Sequence, residues 1–169
     1  MQSSNGDLWK GAVAGLAAGL AATYVMTQFQ NLSGKLEKAL EAEDQDKKEK
    51  KGDDATVKAA SAISRGVFHH TLTQKEKKVA GPAVHYGFGT LTGGLYGTLA
   101  ELSPAVTRGL GMPFGTALWL GADEVAVPAF QLSEPPAAQP PAVHAKALAA
   151  HLVYGLAMET ARRLVRRVL

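Results

Sequence analysis

The chain has no cysteine, so disulfides, thiolate nucleophiles and cysteine-held metal centres are all excluded. Aromatic residues are sparse, at 7%, and the formal net charge is only +3. No stretch interleaves aromatics with Lys and Arg, which leaves nucleic acid with neither a stacking platform nor a strong electrostatic footprint. Neither G-x-S-x-G nor H-E-x-x-H occurs, so hydrolase chemistry has no support. The glycine-rich GFGTLTGG, Gly87–Gly94, does not help a nucleotide: Gly87, Gly89 and Gly93 miss the G-x-G-x-x-G spacing and no strand precedes them. His144 and His151 stand seven residues apart, about 10 Å along a helix and too far to share one ion. His69 and His70 would point roughly 100° apart on a helix, and no zinc-type spacing exists. No catalytic residue, metal ligand or cofactor is assigned, and the expectation is a protein that is not an enzyme.

What the chain does contain is long uncharged runs. Val79–Ala100 is 22 residues without a formal charge. At about 1.5 Å of rise per residue it reaches roughly 33 Å, enough to cross a hydrocarbon core of about 30 Å. In water its glycines oppose a helix; in lipid, small residues four apart let two helix backbones approach closely. Gly81, Gly89, Gly93 and Gly97 form such a ridge, with His85 at the one non-glycine position of the series. Gly11–Phe29, after Lys10, is 19 residues long. That exceeds the roughly 7–15-residue apolar core of a secretory signal, and no polar cleavage region follows, so it reads as a retained anchor. Gly11, Gly15, Gly19, Thr23 and Thr27 repeat the four-residue spacing along it.

Two further stretches complete the pattern. Gly109–Ala122 offers only 14 uncharged residues, about 21 Å of helix, and crosses only by extending over 105–130 and taking Asp123 and Glu124 with it. Pro113 and Pro128 lie inside it, so a kinked or re-entrant segment competes with a straight span. Val143–Ala161 is the last run, closed by Arg162, Arg163, Arg166 and Arg167. The expected fold is all-α: one membrane domain over 1–169, a bundle of about four hydrophobic helices at about 10–29, 79–100, 105–130 and 143–161. Residues 31–78 form a polar, partly helical insertion. Within it, Leu32, Leu36 and Leu40 continue the first helix out of the membrane, and Glu43–Asp54 has no apolar residue and reads as a solvated loop. Val57, Ala60, Ile63 and Val67 give an amphipathic helix, and Thr73 with Glu76 has capping-box spacing.

Orientation divides two ways. The closing arginines place the C-terminal end in the cytoplasm, and the 11 Lys and Arg between Gln30 and Lys78 place the insertion there too. Four complete spans cannot satisfy both; a re-entrant third segment restores parity. The expected surroundings are the lipid bilayer, with a homo-oligomer or a larger membrane complex as company and no nucleic acid.

An ionisable group at membrane depth costs about 2.5–3.5 kcal/mol on insertion scales and is a functional-site hypothesis by default. Ala147, His151, Gly155, Glu159 and Arg163 follow one four-residue series; Gly111, Gly115, Trp119 and Asp123 follow another. With His85 these put two imidazoles and two carboxylates on faces expected to meet other helices. His85, Asp123, His151 and Glu159 are thus the candidate proton pathway or sensor, since imidazole changes charge near pH 6.5. Gly11, Gly15, Gly19, Gly89, Gly93, Gly97, Gly111, Gly115 and Gly155 are the candidate packing residues. His85, Thr92 and Tyr96 share one stripe of their helix. The same groups would equally serve as interhelical polar contacts that fix helix register. If so, the glycine ridges are docking faces and the chain an accessory subunit of a larger complex.

AGPAVHYGFGTLTGGLYG (Ala80–Gly97), GMPFGTALWLGADEVAVP (Gly111–Pro128) and HLVYGLAMETARR (His151–Arg163) resemble the YagU-like group of bacterial inner-membrane proteins. The resemblance takes in the first span and most of Thr73–Arg167 and leaves out the charged stretch from about Lys35 to Asp54. It implies a multi-pass inner-membrane protein of unestablished biochemical function, with some association with survival at low pH. It supplies no catalytic or ligand-binding residues.

Overall fold

In the computed structural model the structure describes residues 5–40 and 53–169, and all regular structure among them is helical. The expected solvated loop at Glu43–Asp54 lies almost wholly outside the described residues. Helix α1 (Asn5–Leu40) runs unbroken for 36 residues, about 54 Å, so it projects well past the length a bilayer needs. A shorter α2 (Ala55–Phe68) is followed by α3 (Gln74–Leu102). A 3-10 segment, Pro104–Gly111, then reverses the chain into α4 (Met112–Trp119). A π-helical turn, Leu120–Ala126, and the one-turn α5 (Val127–Ala129) continue it, and α6 (Pro141–Arg166) closes the bundle.

The glycine ladders decide how the helices meet. A Cβ added at Gly93 would lie 2.5 Å from the Gly19 Cα, and one at Gly97 would lie 2.8 Å from the Gly15 Cα. Gly89 sits against the Thr23 side chain. Thus α1 and α3 run antiparallel with their backbones in contact, and any side chain on these positions would hold them apart. A second ladder joins α4 to α6: a Cβ on Gly155 would come within 2.9 Å of the Gly111 carbonyl carbon, and one on Gly115 within 3.0 Å of that of His151. The ridges are therefore occupied within the chain. Gly111 also needs its lack of a side chain for conformation, with φ of +79° at the end of a reversal that carries Gly109 and Leu110 through the left-handed region as well.

Beyond the ladders the contact closes into a small core of Ala18, Ala22, Met26, Tyr96, Tyr154 and Met158. The third apolar stretch runs beside α6 for most of its length, from Gly111 against Gly155 to Glu124 against His144. The first turn of α1 and the last turns of α3 and α6 share one end of the bundle, tied by Arg166 to Asp7 and Glu101. The described parts of the insertion and the 130–140 connection lie at the other, where Lys146 of α6 pairs with Glu37 of α1.

The capping box forms at the start of α3: Glu76 N–H donates to the Thr73 hydroxyl and Thr73 N–H donates to the Glu76 carboxylate at 2.7 Å. Among the described residues one helix, Asp7–Leu40, is long and apolar enough to cross a membrane. The other expected spans carry glycine, threonine and ionisable residues where they face their neighbours, so by length and composition one of the four qualifies.

Candidate functional site

The polar groups of α3, α6 and the π turn face one another along the inside of the bundle, in three successive groups. At the end nearer the insertion, His151 is buried on α6. Its Nδ1 lies 2.9 Å from the Ala147 carbonyl, one turn back, and 3.6 Å from a carboxylate oxygen of Asp123. The carbonyl can only accept, which assigns the proton to Nδ1. The π turn brings Asp123 here: its wider winding re-aims side chains relative to α4, and Val127 N–H reaches back five residues to Ala122. His85 of α3 stands close enough to His151 for the two rings to interact electrostatically. His85 Nε2 and Trp119 Nε1 are both buried with no hydrogen-bonding partner among the described residues.

One turn further along α6, the Tyr154 hydroxyl donates to the Gly89 carbonyl at 2.5 Å and meets the Thr92 hydroxyl at 2.9 Å. The Gly89 carbonyl takes the tyrosine proton, and the Thr92 hydroxyl has the Phe88 and Gly89 carbonyls within reach at 3.0 and 3.1 Å as well as Tyr154. Glycine at 89 leaves the carbonyl unshielded, an effect of the same residue that lets α1 approach.

The third group is ionic. Glu159 is fully buried. It accepts from the Tyr96 hydroxyl at 3.0 Å, from Arg162 Nε and Nη2 at 2.7 and 3.0 Å, and from Arg163 Nε at 2.6 Å. The Arg162 guanidinium also lies over the Tyr96 ring, 6.0 Å from its centroid, within cation–π range. Arg166 donates to Glu101 at 2.8 Å and to Asp7 at 3.2 Å. The Glu101 hydrogen bond raises the Arg166 guanidinium further above its ordinary value. Four donors around one carboxylate meet the condition for a buried charge, which is that it be both paired and hydrogen-bonded.

The structure thus brings together two of the four candidate residues, Asp123 and His151; His85, on α3, is hydrogen-bonded to neither. Glu159 stands apart, eight residues down α6 and so about 12 Å away along the axis. Between them lie Thr92, Tyr154 and Tyr96. Thr92 and Tyr96 belong to the stripe read from the sequence; Tyr154, Arg162, Glu101, Arg166 and Asp7 do not. The three- and four-residue spacing of Glu159 to Arg162 and Arg163 was the available signal. A further pair, His144 Nδ1 with Glu124 at 2.7 Å, takes Glu124 away from Asp123. Among the described residues no three His, Asp or Glu side chains are placed to hold a metal ion.

A family of proteins matches residues 58–160, from α2 to the last turns of α6, and its description is protein of unknown function (DUF1440). The chain belongs to that family. The match includes His85, Asp123, His151 and Glu159. No curated protein and no solved structure matches the chain.

Proposed function

We propose that the protein is a YagU-like, multi-pass protein of the bacterial inner membrane whose inner polar line takes up or passes protons. One observation carries this: the helices present large apolar side chains outward and turn their polar groups inward. On α3, Leu91 and Leu95 are 69% and 55% exposed while Thr92 and Tyr96, the next residue in each case, bond to α6. Leu20 and Tyr24 of α1, Leu120 and Val125 of the third stretch, and Leu156 and Leu164 of α6 are likewise outward. In water so continuous an apolar exterior is a liability; in lipid it is the solvent-matched face.

Inside, His85, His151 and Asp123 supply two imidazoles and a carboxylate, groups that can take up and release protons. The Tyr154–Thr92 pair and the Tyr96 hydroxyl continue the line to Glu159. Acid tolerance is the physiological setting that fits such a device.

Proton flux into liposomes holding the purified protein, followed with an entrapped pH dye, tests conduction. Flux should exceed that of empty liposomes, rise as the outer pH falls below neutral, and drop toward the empty-liposome rate in Asp123→Asn and His85→Ala. Flux indistinguishable from empty liposomes at every pH contradicts conduction. An accessory role in a larger complex would have to use the outer apolar faces, because the glycine ridges are filled by the chain itself.

A further inference from the structure

We propose that the cavity between α2 and the turn after α5 is a binding site for a phosphomonoester attached to an apolar body. It lies outside the polar line and shares no residue with it. Its volume is about 420 Å³, within the range of about 300–1,000 Å³ usual for small-molecule sites.

Charge and hydrogen bonding define the ligand's head. Lys58, Arg65 and Lys77 line the cavity against a single carboxylate, Asp53. Lys58 and Arg65 are seven residues apart on α2, two turns, so they point to the same side. Asp53 pairs with Lys77 at 2.5 Å, and among the described residues Lys58 and Arg65 have no ion-pair partner. A phosphomonoester carries about −1.5 to −2 at pH 7, whereas a carboxylate or a phosphodiester brings one charge. The planar fork of Arg65 suits bidentate contact with phosphate oxygens, and the Thr71 hydroxyl on the rim can donate as well. Ser61 cannot, because its hydroxyl proton is spent on the Val57 carbonyl at 2.8 Å.

The other wall defines the ligand's body. Leu72, Phe130 and Leu132 line it, and Phe130 is 75% exposed, a surface that a bound carbon skeleton would cover. The turn holding this wall is conformationally costly: Gln131 has φ of 59°, where a residue with a side chain is uncommon. Two bonds back to α5, Gln131 N–H to the Pro128 carbonyl and Leu132 N–H to the Val127 carbonyl, both 2.9 Å, fix it there. Strained residues of this kind gather at binding sites. Lys58 and Arg65 are exposed and not part of α2's packing, which rests on Ala60 and Ser64.

Phenyl phosphate is the probe, titrated calorimetrically into the full-length protein in mild detergent, with inorganic phosphate and phenol as comparisons. Saturable binding of phenyl phosphate is expected, weakened about tenfold by Arg65→Ala or Lys58→Ala, the loss of one charge-assisted contact. Phe130→Ala should weaken phenyl phosphate and leave inorganic phosphate unchanged, while Asp123→Asn should alter neither. Unchanged helicity by circular dichroism establishes that the variants fold. Absence of saturable binding, or equal binding by the Lys58→Ala/Arg65→Ala double variant, overturns the site. Inorganic phosphate binding as tightly as phenyl phosphate overturns the organic ligand.

Discussion

Glu159 is where the chain commits most to a single residue. Its carboxylate has no exposure and holds two arginines of different character: the Arg162 side chain is 10% exposed and the Arg163 side chain 47%. Glu159→Gln leaves the buried Arg162 guanidinium with only the more distant Glu101 carboxylate, at 3.9 Å, and should cost about 3 kcal/mol of stability. Arg163→Ala removes a half-solvated partner and should cost about 0–1 kcal/mol. Denaturation of the purified protein in detergent measures both, and near-equal losses would contradict the asymmetry. That Glu159 would sit on an inward face was legible from its place in the Ala147–Arg163 series. That it would meet Tyr96 instead of His85 was not, because helix periodicity assigns a face while the partner depends on the offset between antiparallel helices.

Helices α1 and α3 are held by what their residues omit. Gly93→Ala would push a methyl carbon against the Gly19 backbone and separate the pair, so it should destabilise. Gly87, on the same helix, has nothing within 4 Å of its Cβ position. Gly87→Ala should therefore stabilise by about 0.5–1 kcal/mol through helix propensity alone. Thermal unfolding of the two variants should give shifts of opposite sign; shifts of the same sign would refute close packing as the role of the ladder. The start of α3 carries a pH effect. Hydrogen bonds from Thr73, its backbone N–H first, hold the Glu76 carboxyl down at about 2 from its ordinary 4.5. A carboxylate so depressed stabilises the cap fully above pH 4.5, and the contribution is lost as pH falls toward 2. Amide exchange protection at the head of α3 should accordingly weaken across that window in the native chain and not in Glu76→Gln.

The ladders and the capping box were readable at this scale because each is a local spacing rule. The π turn was readable only as trouble near Pro128: a proline withholds a backbone donor, and five-residue winding just before it is one of several ways to absorb that. The consequence, Asp123 turned toward His151, needed the fold.

Across the whole molecule the sequence pattern locates four apolar stretches and the structure arranges them as a helical bundle with the first and last ends together and the insertion at the far end. The described basic residues of the insertion, Lys58, Arg65, Lys75, Lys77 and Lys78 among them, and the closing arginines therefore lie at opposite ends, which is why counting bases could not orient the chain. The cavity beside α2 was invisible beforehand, since residues 58–77 and 130–132 meet only through tertiary folding.

The central claim is that the inner polar line responds to protons, and Trp119 is placed to report on it, one turn from Gly115, which packs on His151, and one from Asp123. With Trp9→Phe leaving Trp119 as the only indole, its emission in liposomes should change reversibly as pH falls from about 7.5 to 5.5. In the same background Asp123→Asn or His85→Ala should flatten or displace that change. Emission that stays constant over the range, or a transition that both substitutions leave untouched, would contradict a proton-responsive line at His85, Asp123 and His151.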